Sequence, residues 1–73
     1  MDIIKIDTQY IKLDQLLKWA GIAATGSDAK YLIQNNRVKV NNVVVNERGK
    51  KIFPGDYVSV EVDKKILLMV EKN

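Results

Sequence analysis

The stretch "TGSDAKYLIQNNRVKVNN", Thr25 to Asn42, contains a helix start, a short amphipathic helix, a helix stop and a tight turn in unbroken succession. Thr25 is placed to cap a helix, and Asp28, three residues on, suits the positive end of that helix. Ala29, Leu32 and Ile33 recur at helical spacing. They predict a helix over about 26–35, with Ser27, Lys30, Tyr31 and Gln34 on its outer face. Asn36 stands where a left-handed residue ends a helix, a conformation asparagine tolerates better than most residues with a side chain. Val38 and Val40 then alternate with Arg37 and Lys39, and Asn41-Asn42 makes a two-residue hairpin turn before "VVV" returns. The unit sets Lys30, Arg37 and Lys39 against the single acid Asp28, so the question is what these cations face.

Upstream, "DIIKID" reads as a short strand, Ile3 to Ile6. Leu13, Leu16, Leu17 and Ala20 then form one stripe of a first helix, and Gly21 is its stop. Trp19 flanks that stripe and is expected in the core. Downstream, Pro54-Gly55 fits the central pair of a type II turn. "DYVSVEV" alternates, with Val58, Val60 and Val62 on one side and Tyr57, Ser59 and Glu61 on the other. Asp63-Lys64-Lys65 reads as a turn and "ILLMV" as a buried strand.

The predicted order is β–α–α–β–β–β–β, an α+β fold with two helices packed on a small, mostly antiparallel curved sheet. Short connections place the helices side by side and the hairpin directly beyond the second. Helix two and the first hairpin strand are then expected to share one surface. Lys30, Gln34, Arg37, Lys39 and Asn41 would lie on it, Lys12 or Lys18 at its border, and Lys50 and Lys51 along the same edge.

Seventy-three residues allow one domain, 1–73, with a small core. The 47% hydrophobic and 29% charged content is that of an ordinary globular chain. Cysteine and histidine are both absent, which removes disulfides, the usual zinc sites and every imidazole-based triad. No metal, cofactor or catalytic residue is expected. The N-terminus is broken by charge too often for a secretory signal, and no segment has the length of a membrane span. The expectation is a soluble cytoplasmic protein with no membrane partner.

Net charge is +3, and its distribution says more than its total. Residues 12–51 hold Lys12, Lys18, Lys30, Arg37, Lys39, Arg48, Lys50 and Lys51 against Asp14, Asp28 and Glu47, while both flanking segments are slightly acidic. A positive centre favours an anionic partner, and nucleic acid is the commonest.

The run "KLDQLLKWAGIAATGSDAKYLIQNNRVKVNN…VNERGKKIFPGD" resembles the S-four domain, the RNA-binding module first described in the fourth protein of the small ribosomal subunit. The shared pattern is a basic-Leu-Asp start, a helical Leu pair, a small polar start to helix two, Ala-basic-x-Leu-Ile, Val-x-Val-Asn, and Gly-Asp before a valine strand. It covers about 12–60, and its wording is closest to the stand-alone YaaA/RlbA paralogues of bacteria. The resemblance implies the two-helix alpha-L motif and binding to structured RNA, ribosomal RNA above all, with a role in ribosome association or assembly. It implies RNA-facing positions at Lys12, Thr25, Gly26, Ser27, Lys30, Gln34, Arg37, Lys39 and Asn41, extended by Lys18, Tyr31, Lys50 and Lys51. Many members have arginine at the first of these positions and Ser-Arg opening helix two. Lys12 and Thr25-Gly26 here keep phosphate binding but lose arginine's planar bidentate contact.

Duller readings stand beside these. Lys18, Lys64 and Lys65 read as solvated charges, and Asp14 as a structural group bonded to the loop that enters helix two. Tyr31 on an outer face is a candidate stacking platform. The hairpin also resembles the β half of ubiquitin-like sulfur carriers, but the chain ends Glu71-Lys72-Asn73 in place of Gly-Gly. A module docking on ribosomal proteins is the alternative function, since a basic face also meets acidic protein. An enzyme is not expected, and nothing in the chain calls for an obligate dimer, so a monomer is.

Overall fold

Both helices end in the same way, and those endings set the path of the chain. The structure, a computed structural model, describes residues 1–73. Helix α1 spans Leu13–Trp19 and α2 spans Gly26–Gln34. After α1, Gly21 adopts φ 77°, its N–H donating to the Lys18 carbonyl at 3.0 Å while the Ile22 N–H reaches the Leu17 carbonyl at 3.0 Å. After α2, Asn36 adopts φ 59°, with N–H bonds from Asn36 to Ile33 at 3.3 Å and from Arg37 to Leu32 at 3.1 Å. This paired bonding satisfies the last carbonyls and turns the chain sharply. At the start of α2, the Thr25 hydroxyl accepts the Asp28 N–H at 3.1 Å, the cap read from the sequence. The N-cap residue of α1 is Lys12, which makes no side-chain cap.

Seven strands complete the chain: β1 Asp2–Ile6, β2 Ile11–Lys12, β3 Val38–Val40, β4 Val43–Val44, β5 Lys51–Ile52, β6 Tyr57–Glu61 and β7 Lys65–Lys72. Five of them form a sheet in the order β1-β7-β6-β3-β4, in which only the β1–β7 pair is parallel. The fold is α+β, two helices on a mostly antiparallel open sheet. At the hairpin tip, Asn41 and Asn42 take φ 50° and 69°, the two positive values a primed turn requires. Gly55 takes φ 96° in the Phe53–Asp56 turn, closed by the Asp56 N–H to the Phe53 carbonyl at 2.9 Å.

One sheet face is apolar. Val38, Val40, Val58, Val60, Leu68 and Val70 join Leu13, Leu16, Leu17, Ala29 and Ile33 in a single buried cluster, so both helices lie on that face. Each fully buried side chain of this size contributes about 1.5–3 kcal/mol. The last residue is tied back, its Asn73 N–H reaching the Ile6 carbonyl at 2.9 Å and its amide the Asp7 carboxylate at 2.7 Å.

Two expectations are corrected, and two further features lay outside them. Trp19 is 69% exposed rather than in the core, because it lies on the flank of the Leu13–Leu16–Leu17 stripe where no element covers it. Val62 is exposed because β6 ends at Glu61 and the chain is already turning, with the Val62 N–H bonded to the Lys64 carbonyl at 3.1 Å. Ser59 is only 4% exposed although it faces away from the helices, since Lys39 and Leu67 stand on either side of it in register. The other such feature is a small second sheet, β2 paired antiparallel with β5, which periodicity did not foresee.

Candidate nucleic-acid interface

Helix α2 shows how local sequence builds a face. Ala29 and Ile33 are buried and Leu32 is half-buried, which leaves Ser27, Lys30, Tyr31 and Gln34 exposed at i, i+3, i+4 and i+7. Tyr31 is 63% exposed, so its ring is presented to solvent as the sequence reading requires for stacking. Thr25 is exposed at the N-terminal end of this face, and Gly26 is half-buried with open space where a Cβ would stand. Arg37, also exposed, follows at the other end. Its position is held by backbone bonds to Leu32 and from the Glu61 N–H at 2.9 Å. The Asn46 amide braces the same corner, donating to the Ile33 carbonyl at 3.4 Å and to the Asn36 side-chain oxygen.

Asn41 is committed to the fold. Its side-chain oxygen accepts the Tyr57 N–H at 3.0 Å, and its amide donates to the Asp56 carboxylate at 3.2 Å. Asp56 in turn accepts the Phe53 N–H at 2.8 Å, so two residues of the recurring pattern stitch the hairpin tip to the Pro54-Gly55 turn. Asn41 and Lys50 line the same open groove of about 500 Å³ beside the hairpin, together with Val43, Val44 and Glu47. Lys50 thus lies beside the hairpin.

Lys39 is not brought to the face of α2. Its neighbours Val38 and Val40 point into the helix-covered core, so alternation sends Lys39 out of the opposite sheet face, half-buried between Val44 and Ser59. The single surface expected to hold Lys30, Gln34, Arg37, Lys39 and Asn41 is therefore divided. A sheet has two sides and the helices occupy one.

A third group forms where α1 begins. Lys12 and Lys51 are direct register partners across the β2–β5 ribbon, and both are exposed. The Leu13 N–H bonds to the Lys50 carbonyl at 2.9 Å and the Asp14 N–H to the Arg48 carbonyl at 3.0 Å, so the "ERGKK" loop lies along the start of α1. The Asp14 carboxylate does not reach the loop entering α2 as expected: it accepts the adjacent Gln15 N–H at 2.8 Å, and only the backbone N–H of Asp14 ties to the "ERGKK" loop. Arg48, Tyr10 and Phe53 were missed as candidates. The one available signal was the spacing Tyr10-x-Lys12 and Lys51-x-Phe53, an alternation too short to announce a strand. Lys18 is exposed on α1, and no group of His, Cys, Asp or Glu is arranged to hold a metal ion.

The comparisons with known proteins agree with this architecture. The model of a family described as the S4 domain matches residues 4–68. Over 58 residues the chain is 41% identical to "Probable ribosome maturation protein RlbA" of Bacillus subtilis, covering 80% of this chain and 82% of that protein. It is 27% identical over 70 residues to small ribosomal subunit protein uS4c of Marchantia romanica, covering 96% of this chain and 35% of that one. A tyrosine–tRNA ligase of Orientia tsutsugamushi is 34% identical over 65 residues, 84% of this chain but 16% of the ligase. Among solved structures, a tyrosyl-tRNA synthetase C-terminal domain superposes with a TM-score of 0.73 over all of this chain and 79% of that one. At 20% identity that likeness is one of fold alone. No helix is long and apolar enough to cross a membrane. With a family model running through most of its length and a relative of 41% identity, this chain belongs to the S4 domain family.

Proposed function

We propose that this protein binds structured RNA, ribosomal RNA in the first instance, and serves ribosome maturation in the bacterial cytoplasm as a monomer without catalysis or cofactor. The observation that carries this reading is the outer face of α2, where Ser27, Lys30, Tyr31 and Gln34 line up and lead into Arg37. Support comes from the names of its relatives, one a ribosome maturation protein and one a small-subunit protein. A double-helical RNA hides its base edges, so proteins meet it through shape, phosphates and 2′-hydroxyls. Lys30 and Arg37 supply the attraction, while Ser27, Gln34 and the N-terminal turn of α2 at Thr25–Gly26 set the register. Lys12 and Lys51 extend the contact along the ribbon and Lys50 along the hairpin groove, whereas Lys39, on the far side of the sheet, stands apart from it.

Co-sedimentation with purified ribosomal subunits tests the proposal. The Lys30→Glu/Arg37→Glu double variant is expected to stay in the supernatant with its fold intact, while the unaltered protein pellets with a subunit. Unchanged pelleting of the variant contradicts the reading. Binding that survives complete digestion of the RNA favours docking on a ribosomal protein instead.

A further inference from the structure

The solvent face of the β2–β5 ribbon carries two matched pairs. Lys12 and Lys51 are opposite each other in register, and the same alternation puts Tyr10 and Phe53 on that face one step along. The next pair in, Ile11 and Ile52, turns the other way, and Ile52 is fully buried. The rings of Tyr10 and Phe53 sit 5.8 Å apart at 50°, and the Lys51 Nζ stands 5.0 Å over the Tyr10 ring. Tyr10 is half-buried, in contact with both Phe53 and Lys51, whereas Phe53, the chain's one phenylalanine, is 47% exposed.

Resting on the RNA-binding reading, we infer that this face is a site for one unpaired RNA nucleotide, its base stacked on Phe53 and its phosphate between Lys12 and Lys51. Two like charges held directly opposite are unfavourable, and an anion between them reverses the sign. An aromatic ring beside such an anion site suits a base, because every base has a π-face and stacking needs no sequence match. A base inside a duplex is already stacked and cannot reach Phe53. The target is therefore a bulge or a single-stranded step, next to the helical segment that α2 meets by shape.

The test uses the full chain and two RNA hairpins, identical except that one carries a single bulged 2-aminopurine nucleotide. The bulged hairpin is expected to bind on the order of 10-fold more tightly, with its fluorescence quenched by stacking. Phe53→Leu keeps apolar bulk but loses the ring. It should erase both the preference and the quench, while the folded circular dichroism spectrum and affinity for the paired hairpin stay as they were. Phe53→Tyr should restore both. Equal affinity for the two hairpins, an unquenched base, or a preference that survives Phe53→Leu overturns the inference while leaving the wider reading standing. Failure of both hairpins to bind overturns the inference and the wider reading together.

Discussion

Lys12 and Lys51 stand directly opposite one another on the solvent face of the β2–β5 ribbon. Lys12 is also the N-cap residue of α1, at the end of the helix where a cation is least welcome. Two local rules are thus broken by one side chain, and such departures concentrate at functional sites. Lys12→Glu removes the repulsion, leaves Lys51 over Tyr10, and puts an anion at the positive helix end. Thermal unfolding at low salt should show a gain of about 0.5–1 kcal/mol. The same variant should bind RNA more weakly. Loss of stability together with unchanged RNA affinity would contradict a binding role for Lys12.

Asn41 and Asn42 share a positive φ but differ in what their side chains do. Asn41→Ala cuts the links to Tyr57 and Asp56 and should cost about 1–2 kcal/mol in denaturant unfolding. Asn42→Gly, which relieves the left-handed backbone, should be neutral or stabilise by about 0.5 kcal/mol.

Two glycines with equal room should respond in opposite ways. Neither Gly26 nor Gly55 has any atom within 4 Å of where a Cβ would stand, yet only Gly55 has a positive φ, 96°. Gly55→Ala should cost about 1–2 kcal/mol. Gly26→Ala should leave stability unchanged or raise it by up to about 1 kcal/mol. Any fall in RNA affinity of Gly26→Ala then reports close approach of the ligand to the start of α2.

Trp19 gives an optical check on its placement. At 69% exposure its native emission should lie close to that of tryptophan in water, with little shift on unfolding. Trp19→Ala should change stability by less than about 1 kcal/mol, whereas Leu16→Ala in the core should cost about 2–5 kcal/mol. Against a total of about 4–11 kcal/mol for a chain this size, the second change is large enough to threaten the fold.

The helix-to-hairpin unit was legible in the sequence because its signals are local. Thr25, Asn36, Gly21 and the Asn41-Asn42 pair each report a particular backbone angle or cap, and each takes the conformation read for it. The β2–β5 ribbon was not legible, because a two-residue strand has no period and its partner lies some forty positions away. Trp19 was misplaced because its surroundings depend on which neighbours happen to cover the flank of α1. Lys39 is a different case. Alternation in "VKV" already sent it away from the buried valines, and only the helices' choice of sheet face separates it from Lys30 and Gln34.

The dependence of RNA affinity on salt tests the central claim most directly. Binding to a ribosomal RNA hairpin, titrated from about 50 to 300 mM potassium chloride, should fall with a log–log slope of about −4 to −5 if five or six phosphates are neutralised. The Lys30→Glu/Arg37→Glu variant should lose about 2 units of that slope along with most of the affinity. A slope near zero, or one the double variant leaves untouched, would contradict the claim that this basic face is what holds RNA.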